Sequence, residues 1–117
     1  MKAQETAQIL KEVVLKNQDG FTCDFNGKAI NKTDGFFIAI TNIKGKQINR
    51  LINKILYIKT TGFKDNKNLL VGGWKEDLFY LDLSLYVNDF NTAQKIGLLF
   101  NQKAVYDIQK KESIYLK

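Results

Sequence analysis

The sequence predicts a single α+β domain over residues 1–117, in which about three helices pack on a mostly antiparallel sheet of five or six strands. The first observation is that apolar residues recur at helical spacing in some segments and at every second position in others. The second is that these segments alternate in the order α-β-β three times along the chain. The third is that 44% of the residues are apolar and no change of composition marks a linker, which suits one core.

The first third of the chain is expected to form one helix and two strands. Residues 3–16 carry apolar side chains on one helical face, and an Asp-Gly pair ends that pattern. The expected inward side chains are Ala7, Leu10, Val13 and Val14. Residues 21–25 alternate apolar and polar side chains before an Asn-Gly turn, which predicts a half-buried strand. Residues 35–41 are apolar enough for a central strand.

The remaining elements follow from the same two periodicities. Helices are expected over residues 47–58 and from Asn88 or Asp89 to about 102, and the polar stretch 59–68 is expected to be an exposed loop. The last helix should turn Phe90, Ala93, Ile96, Gly97 and Phe100 inward. The other expected strands cover residues 69–74, 78–87, 104–108 and 113–116. Strand 78–87 should direct Tyr80, Asp82, Ser84 and Tyr86 away from the face that carries its leucines.

The net charge of +6 arises from residues 42–68, which hold seven cations and one anion, Asp65. The rest of the chain carries eleven basic and eleven acidic residues, which cancel. A patch of this kind focuses an electrostatic field and predicts an anionic partner, whereas a diffuse lysine excess would serve solubility. On the predicted helix, Lys46, Arg50 and Lys54 repeat at i, i+4 spacing with no glutamate between them to relieve their repulsion.

The expected binding surface consists of this patch and two aromatic residues. Its cations are Lys44, Lys46, Arg50, Lys54, Lys59, Lys64 and Lys67. Tyr57 lies beside them, and Trp74, the only tryptophan, either packs over the sheet edge or serves as an exposed anchor in an interface. The alternative interpretation of the same lysines is a solvated surface without a partner.

The residue types exclude several kinds of chemistry. The chain has no histidine and one cysteine, so no zinc or iron–sulfur ligand set can be assembled, and no cofactor is expected. Cys23 alternates with Phe21 and Phe25 and is expected in the core, where a thiol is inert. No phosphate-binding glycine motif surrounds Gly72-Gly73, which favours a bulge or a close approach of another backbone.

A metal-dependent nuclease is the enzymatic alternative that the residues leave open. It requires Asp24, Asp82 and Asp107 to converge on a divalent cation. The opposing interpretation is that each carboxylate faces water or pairs with a lysine, and a non-enzymatic protein is expected. The sequence shows neither a long apolar run nor a secretory leader, so we expect a cytoplasmic protein without membrane contact.

Two segments, GFTCDF and GGWKEDLFYLDLSLYVNDFNTAQKIGLLFNQKAVYDI, resemble a class of small proteins of unknown function from phages and mobile elements. The resemblance is carried by Gly20, Phe21, Thr22, Gly35, Gly72, Gly73, Trp74, Asp82, Asp89, Ala93, Asn101, Gln102, Ala104 and Asp107. It assigns no catalytic residues. It implies a protein that opposes host defence by stoichiometric binding in a bacterial cytoplasm, as anti-CRISPR and antirestriction proteins do.

Three functional hypotheses follow from the patch and the resemblance. The favoured one is a non-enzymatic anti-defence inhibitor that binds an RNA-guided nuclease, or its guide RNA, through the basic helix. The second is a stand-alone RNA- or DNA-binding module, for which binding would weaken steeply with salt. The third is the metal-dependent nuclease, and a subunit with some other protein partner is the remaining alternative.

Overall fold

Helices and strands alternate in the order α-β-β three times, as the sequence predicts. The structure is a computed structural model and describes residues 3–116. The helices are α1 (Ala3–Lys16), α2 (Ile48–Gly62) and α3 (Phe90–Leu99). The strands are β1 (Phe21–Cys23), β2 (Phe36–Gly45), β3 (Leu69–Lys75), β4 (Phe79–Val87), β5 (Ala104–Asp107) and β6 (Glu112–Tyr115). The predicted single-domain α+β fold is therefore confirmed.

The strands of the described residues form one antiparallel sheet in the spatial order β1-β3-β4-β2-β5-β6. Because β1 and β2 are not neighbours, the connection 24–35 has to pass β3 and β4. It contacts β4 on the way, since the Tyr86 hydroxyl donates a hydrogen bond to the Asp34 carbonyl at 3.1 Å. The Lys32 ammonium also lies 4.6 Å from the centre of the Tyr86 ring.

The helices pack on one face of the sheet, and the core lies between them. It contains Leu10 and Val14 of α1, Leu51, Ile52 and Ile55 of α2, Ala93 of α3 and alternate residues of β4. Ile55 and Leu83 are fully inaccessible to solvent. Burial of one such side chain contributes about 1.5–3 kcal/mol, so the apolar side of α2 is held on the sheet. Its polar side therefore has to face outward. No helix within residues 3–116 is long and apolar enough to cross a membrane.

Two elements extend further than the sequence predicts. β2 continues past residue 41 to Gly45, because residues 41–45 pair with residues 79–83 of β4 beyond a bulge that follows Ala39. Long-range pairing thus outweighs the polar composition of this stretch. α2 continues past residue 58 to Gly62. Part of the predicted loop 59–68 is therefore helical.

The start of α3 follows one of the two predicted caps. Asp89 occupies the N-cap position with extended backbone, and the Thr92 N–H donates a hydrogen bond to its carboxylate at 3.2 Å. This contact satisfies one of the free N–H groups in the first helical turn. It also holds the pKa of the Asp89 carboxyl below its usual value, because the hydrogen bond favours the charged form.

The end of α3 departs from the prediction. The helix ends at Leu99 because Asn101 adopts a left-handed backbone (φ 56°), and the N–H groups of Asn101 and Gln102 donate to carbonyls of the last turn. This is the usual way to close a helix end. Phe100, predicted to point inward, is instead 40% exposed and stacks on Phe63 with ring centres 6.1 Å apart.

Candidate functional site

The end of β2 and the first half of α2 together form a depression lined with cations. We name Lys44, Lys46, Arg50 and Lys54 the basic groove; the depression that they line measures about 320 Å³. Lys44 lies beyond the predicted end of its strand, on the additional residues that pair with β4. Arg50 and Lys54 are exposed because the opposite side of α2 is buried in the core.

The charge of the basic groove is not balanced by ion pairs among the described residues. Within residues 3–116, none of them forms an ion pair with a carboxylate. α2 carries no acidic residue in its first turn, and its N-cap residue, Gln47, makes no side-chain hydrogen bond to the helix. The positive end of the helix dipole therefore adds to the potential of the four side chains. The groove presents a net positive field to solvent.

The remaining predicted cations lie apart from the basic groove. Lys59, Lys64 and Lys67 line a second depression of about 550 Å³ together with Asp24 and Asp65. The two carboxylates balance part of the positive charge there. The Lys59 ammonium also donates a hydrogen bond to the Lys64 carbonyl at 3.0 Å. The predicted patch is therefore divided, and no carboxylate lines the depression of the basic groove.

Tyr57, predicted beside the patch, is 70% exposed. It follows Lys54 by three residues, which puts both side chains on the same side of α2. The row of Arg50, Lys54 and Tyr57 thus adds an aromatic surface to one end of the basic groove.

Trp74 lies on the face of the sheet opposite the helices and stacks on Tyr80, its cross-strand partner. The ring centres are 4.8 Å apart and the planes differ by 7°. Trp74 remains 42% exposed. β1 pairs with residues 71–73 of β3, so Trp74 lies just beyond that ladder. The stacked pair offers aromatic surface to solvent beside the basic groove, because Lys44 pairs with Tyr80 on the next strand.

A hollow of about 280 Å³ opens beside this aromatic pair. We name it the sheet hollow; its lining is Asn42, Ile43, Lys44, Trp74, Tyr80, Leu81 and Asp82. Two cross-strand rows on the same face account for its polar groups. The first row is Trp74, Tyr80 and Lys44, and the second is Gly72, Asp82 and Asn42. Lys44 lines both the sheet hollow and the basic groove, so the two features share one cation.

Asp82 is the carboxylate of the sheet hollow. The Ser84 hydroxyl donates a long hydrogen bond to its Oδ1 at 3.5 Å, and no other hydrogen bond or ion pair from residues 3–116 reaches it. Burial raises the pKa of this carboxyl, and the Ser84 hydrogen bond acts in the opposite direction. The side chain therefore has free acceptor positions in a partly desolvated place, where hydrogen bonds to a ligand are strong.

The three aspartates of the nuclease hypothesis are not brought together. Asp82 lies on β4, Asp107 lies at the end of β5, and Asp24 accepts the N–H groups of Asn26 and Lys28 in the turn that ends β1. Within residues 3–116, no group of three or more potential ligands could hold a metal ion. The convergence that this hypothesis requires is absent from the part of the chain that the structure describes.

Cys23 and the pair Gly72-Gly73 have the structural roles that the sequence predicts, a core position and a close approach of another backbone. Cys23 is buried, and burial together with the neighbouring Asp24 charge raises the pKa of its thiol to about 12. At Gly73, a Cβ atom would collide with the backbone carbonyl oxygen of Tyr80. The expected close approach of another backbone is therefore confirmed, and neither feature belongs to the site.

Sequence reasoning did not assign Asn42 and Tyr80 to a site, and it considered Asp82 only as a ligand of the three-aspartate metal site. The alternation in 78–87 correctly separated Tyr80 and Asp82 from the leucines. The missing information was the strand order, which pairs Asp82 with Asn42 on one side and with Gly72 on the other. No local pattern of residues specifies those partners.

Comparison with known proteins does not extend this description, because the chain matches no protein-family model, no curated protein and no solved structure. The resemblance to small proteins of phages and mobile elements therefore stays a prediction. Any functional assignment has to rest on the residues themselves.

Proposed function

We propose that this protein is a non-enzymatic binding module for single-stranded nucleic acid. The observation that carries the proposal is the basic groove, whose four cations form no ion pair within residues 3–116 and which shares Lys44 with the hollow beside an exposed aromatic pair. Backbone phosphates are the ligands that neutralise such a row of cations, and they supply most of the affinity in nucleic-acid binding.

A single strand suits this arrangement better than a duplex. Proteins that bind single strands combine a positive groove, which follows the phosphates, with aromatic rings on which unpaired bases stack. The basic groove provides the first feature, and the stacked Trp74–Tyr80 pair provides the second. In a duplex the bases are already stacked on each other, so the aromatic pair would find no partner.

Charge reversal in the basic groove tests the proposal. The variant Lys46→Glu/Arg50→Glu/Lys54→Glu should weaken binding of a fluorescein-labelled single strand of about 12 nucleotides by at least roughly 100-fold, measured by fluorescence anisotropy. The matched control is Lys16→Glu/Lys95→Glu/Lys110→Glu, which changes the net charge equally at exposed positions elsewhere. It should weaken binding by less than about fivefold. Equal losses in the two variants, or no binding by the wild type, would overturn the proposal.

The anti-defence role is a second candidate, and an exposed apolar cluster favours it. Leu98, Leu99 and Phe100 follow each other at the end of α3, and Leu99 is 83% exposed. Exposed apolar residues in a group are typical of protein contact sites. A protein with both a basic groove and such a cluster is suited to a ribonucleoprotein, such as an RNA-guided nuclease with its guide RNA.

Binding to the assembled ribonucleoprotein and to its free guide RNA distinguishes the two candidates. An inhibitor of the nuclease should bind the assembled particle at least about tenfold more tightly than the free guide, because protein contacts add to the phosphate contacts. Leu99→Asp should remove that difference and leave binding of the free guide unchanged. Equal affinity for both forms would contradict the anti-defence candidate and leave the stand-alone module.

A further inference from the structure

We propose that the sheet hollow holds one unpaired guanine base of the bound strand. This inference rests on the proposed function, because it names the base that the site would select within a single strand. The volume of about 280 Å³ lies at the lower end of small-molecule sites, which suits one base rather than a run of nucleotides.

The stacking surface is the side of the Tyr80 ring that Trp74 does not cover. Trp74 covers the side of that ring that faces β3, with the two planes nearly parallel. The other side faces β2, where Asn42 and Lys44 pair with Asp82 and Tyr80. A planar base placed there would extend the aromatic stack by one ring, with the backbone of Ile43 and Leu81 beneath it. Stacking of this kind tolerates every base, so it supplies affinity without selecting guanine.

The polar groups of the sheet hollow supply the selection. The Watson–Crick edge of guanine carries two adjacent donors, N1–H and N2–H₂, beside one acceptor, O6. The Asp82 carboxylate accepts two hydrogen bonds in parallel, and within residues 3–116 its one hydrogen-bond partner is the Ser84 hydroxyl at 3.5 Å. Asn42, its direct cross-strand neighbour, has amide N–H groups that can donate to O6. Adenine and cytosine each have one amino group on this edge, and uracil has a single N–H, so none of them supplies two adjacent donor groups.

Lys44 links base and phosphate recognition. It lines the sheet hollow and the basic groove, so a nucleotide with its base in the hollow would have its phosphate near the groove cations. A neutral sugar could also stack on tryptophan and bond to an aspartate, but it would gain nothing from the four cations of the basic groove. The charge therefore favours a nucleotide over a carbohydrate.

Base substitution within one oligonucleotide tests the inference. The probes are single strands of about nine uridines with guanosine, adenosine, cytidine or inosine at the centre. The guanosine strand should bind about 10- to 100-fold more tightly than the adenosine strand, as is usual for a bidentate base contact. Inosine lacks the N2 amino group, so its strand should fall between them.

Asp82→Asn is the matched variant. Its amide replaces one acceptor oxygen by a donor, so the affinities for the guanosine and adenosine strands should then agree within about twofold. Asn42→Ala is a second variant that leaves Asp82 in place, and it should reduce the preference by severalfold. Circular dichroism establishes that both variants are folded.

The outcomes separate this inference from the proposed function. Strands that bind through the basic groove with equal affinity for all four centres would overturn the guanine inference and leave the binding module intact. A preference for guanosine that survives in both variants would also overturn it. A protein that binds no strand at all, or that binds a neutral oligosaccharide independently of the groove cations, would overturn both proposals.

Discussion

The Asp82 carboxylate occupies the space where a side chain of Gly72, its cross-strand partner, would have to lie. A Cβ atom at Gly72 would be 2.9 Å from Oδ1 and 3.1 Å from Oδ2 of Asp82. The absence of a side chain at position 72 thus keeps the carboxylate in its half-buried place on the sheet. At position 72 the Asp82 carboxylate leaves no space for a larger residue than glycine. At Gly73 the backbone carbonyl oxygen of Tyr80 has the same effect.

Gly72→Ala should destabilise the fold by about 1–3 kcal/mol, because the added methyl group forces the Asp82 side chain or the strand to move. Urea denaturation measures the loss. Gly62→Ala is the control, since a Cβ atom at Gly62 meets nothing within 4 Å. This control should leave stability unchanged or raise it by up to about 1 kcal/mol, as expected for alanine in place of glycine in a helix.

A double mutant identifies the cause of the loss. If the Asp82 carboxylate is the obstacle, Gly72→Ala should cost at least about 1 kcal/mol less in an Asp82→Ala background. An unchanged cost in that background would contradict the close approach of the two residues.

Asp82→Asn should stabilise the protein near neutral pH. Burial raises the pKa of the Asp82 carboxyl in the folded state above its value in the unfolded chain. The group therefore stabilises the fold while it is protonated. This contribution is fully present below the pKa of the carboxyl in the unfolded chain and is lost as the pH rises through its pKa in the folded protein. The free energy of unfolding of the variant should exceed that of wild type at about pH 7, and the difference should vanish at about pH 3.

Asp89→Asn is the control of opposite sign. The Thr92 hydrogen bond lowers the pKa of Asp89 in the folded state, so its contribution is present above the unfolded pKa and lost as the pH falls through the folded pKa. Asparagine keeps the cap but not the charge. This variant should lose stability near neutral pH and match wild type in acid. If both substitutions changed the free energy of unfolding near neutral pH in the same direction, the proposed difference between the two carboxyl environments would be contradicted.

Much of the fold could be predicted from sequence because it depends on neighbours along the chain. The bounds of α1 match the predicted helix, and the alternation in β4 correctly assigned Tyr80 and Asp82 to the face without leucines. The strand order could not be predicted in this way. The sequence also did not predict that residues 41–45 pair with β4 despite their polar composition, and this pairing brings Lys44 beside Tyr80.

The basic patch also depends on the tertiary fold. The sequence shows which cations it contains, but not that the structure separates them into the basic groove and a second depression. Asp24 comes from the turn after β1 and joins Lys59 and Lys64 only through the tertiary fold. A count of charge along the chain cannot detect a carboxylate that arrives from a distant segment. The half that kept its charge is the half next to the sheet hollow.

The Cys23 thiol should be unreactive in the folded protein. It is buried, and its pKa of about 12 leaves almost no thiolate at neutral or mildly basic pH. Alkylation by iodoacetamide, followed by mass spectrometry, should be at least roughly 1,000-fold slower in buffer than in concentrated urea, because the native state has to open first. Similar rates in the two solutions would contradict the core position of Cys23.

The salt dependence of binding tests the role of the basic groove most directly. Fluorescence anisotropy of a labelled single strand gives the affinity at several salt concentrations between about 50 and 500 mM. Four phosphate contacts predict a slope of about −3 for the logarithm of the binding constant against the logarithm of salt concentration. The slope should fall to about −0.7 in the triple variant Lys46→Glu/Arg50→Glu/Lys54→Glu, in which Lys44 is the groove cation that remains. A flat response in the wild-type protein would mean that the groove does not bind phosphates.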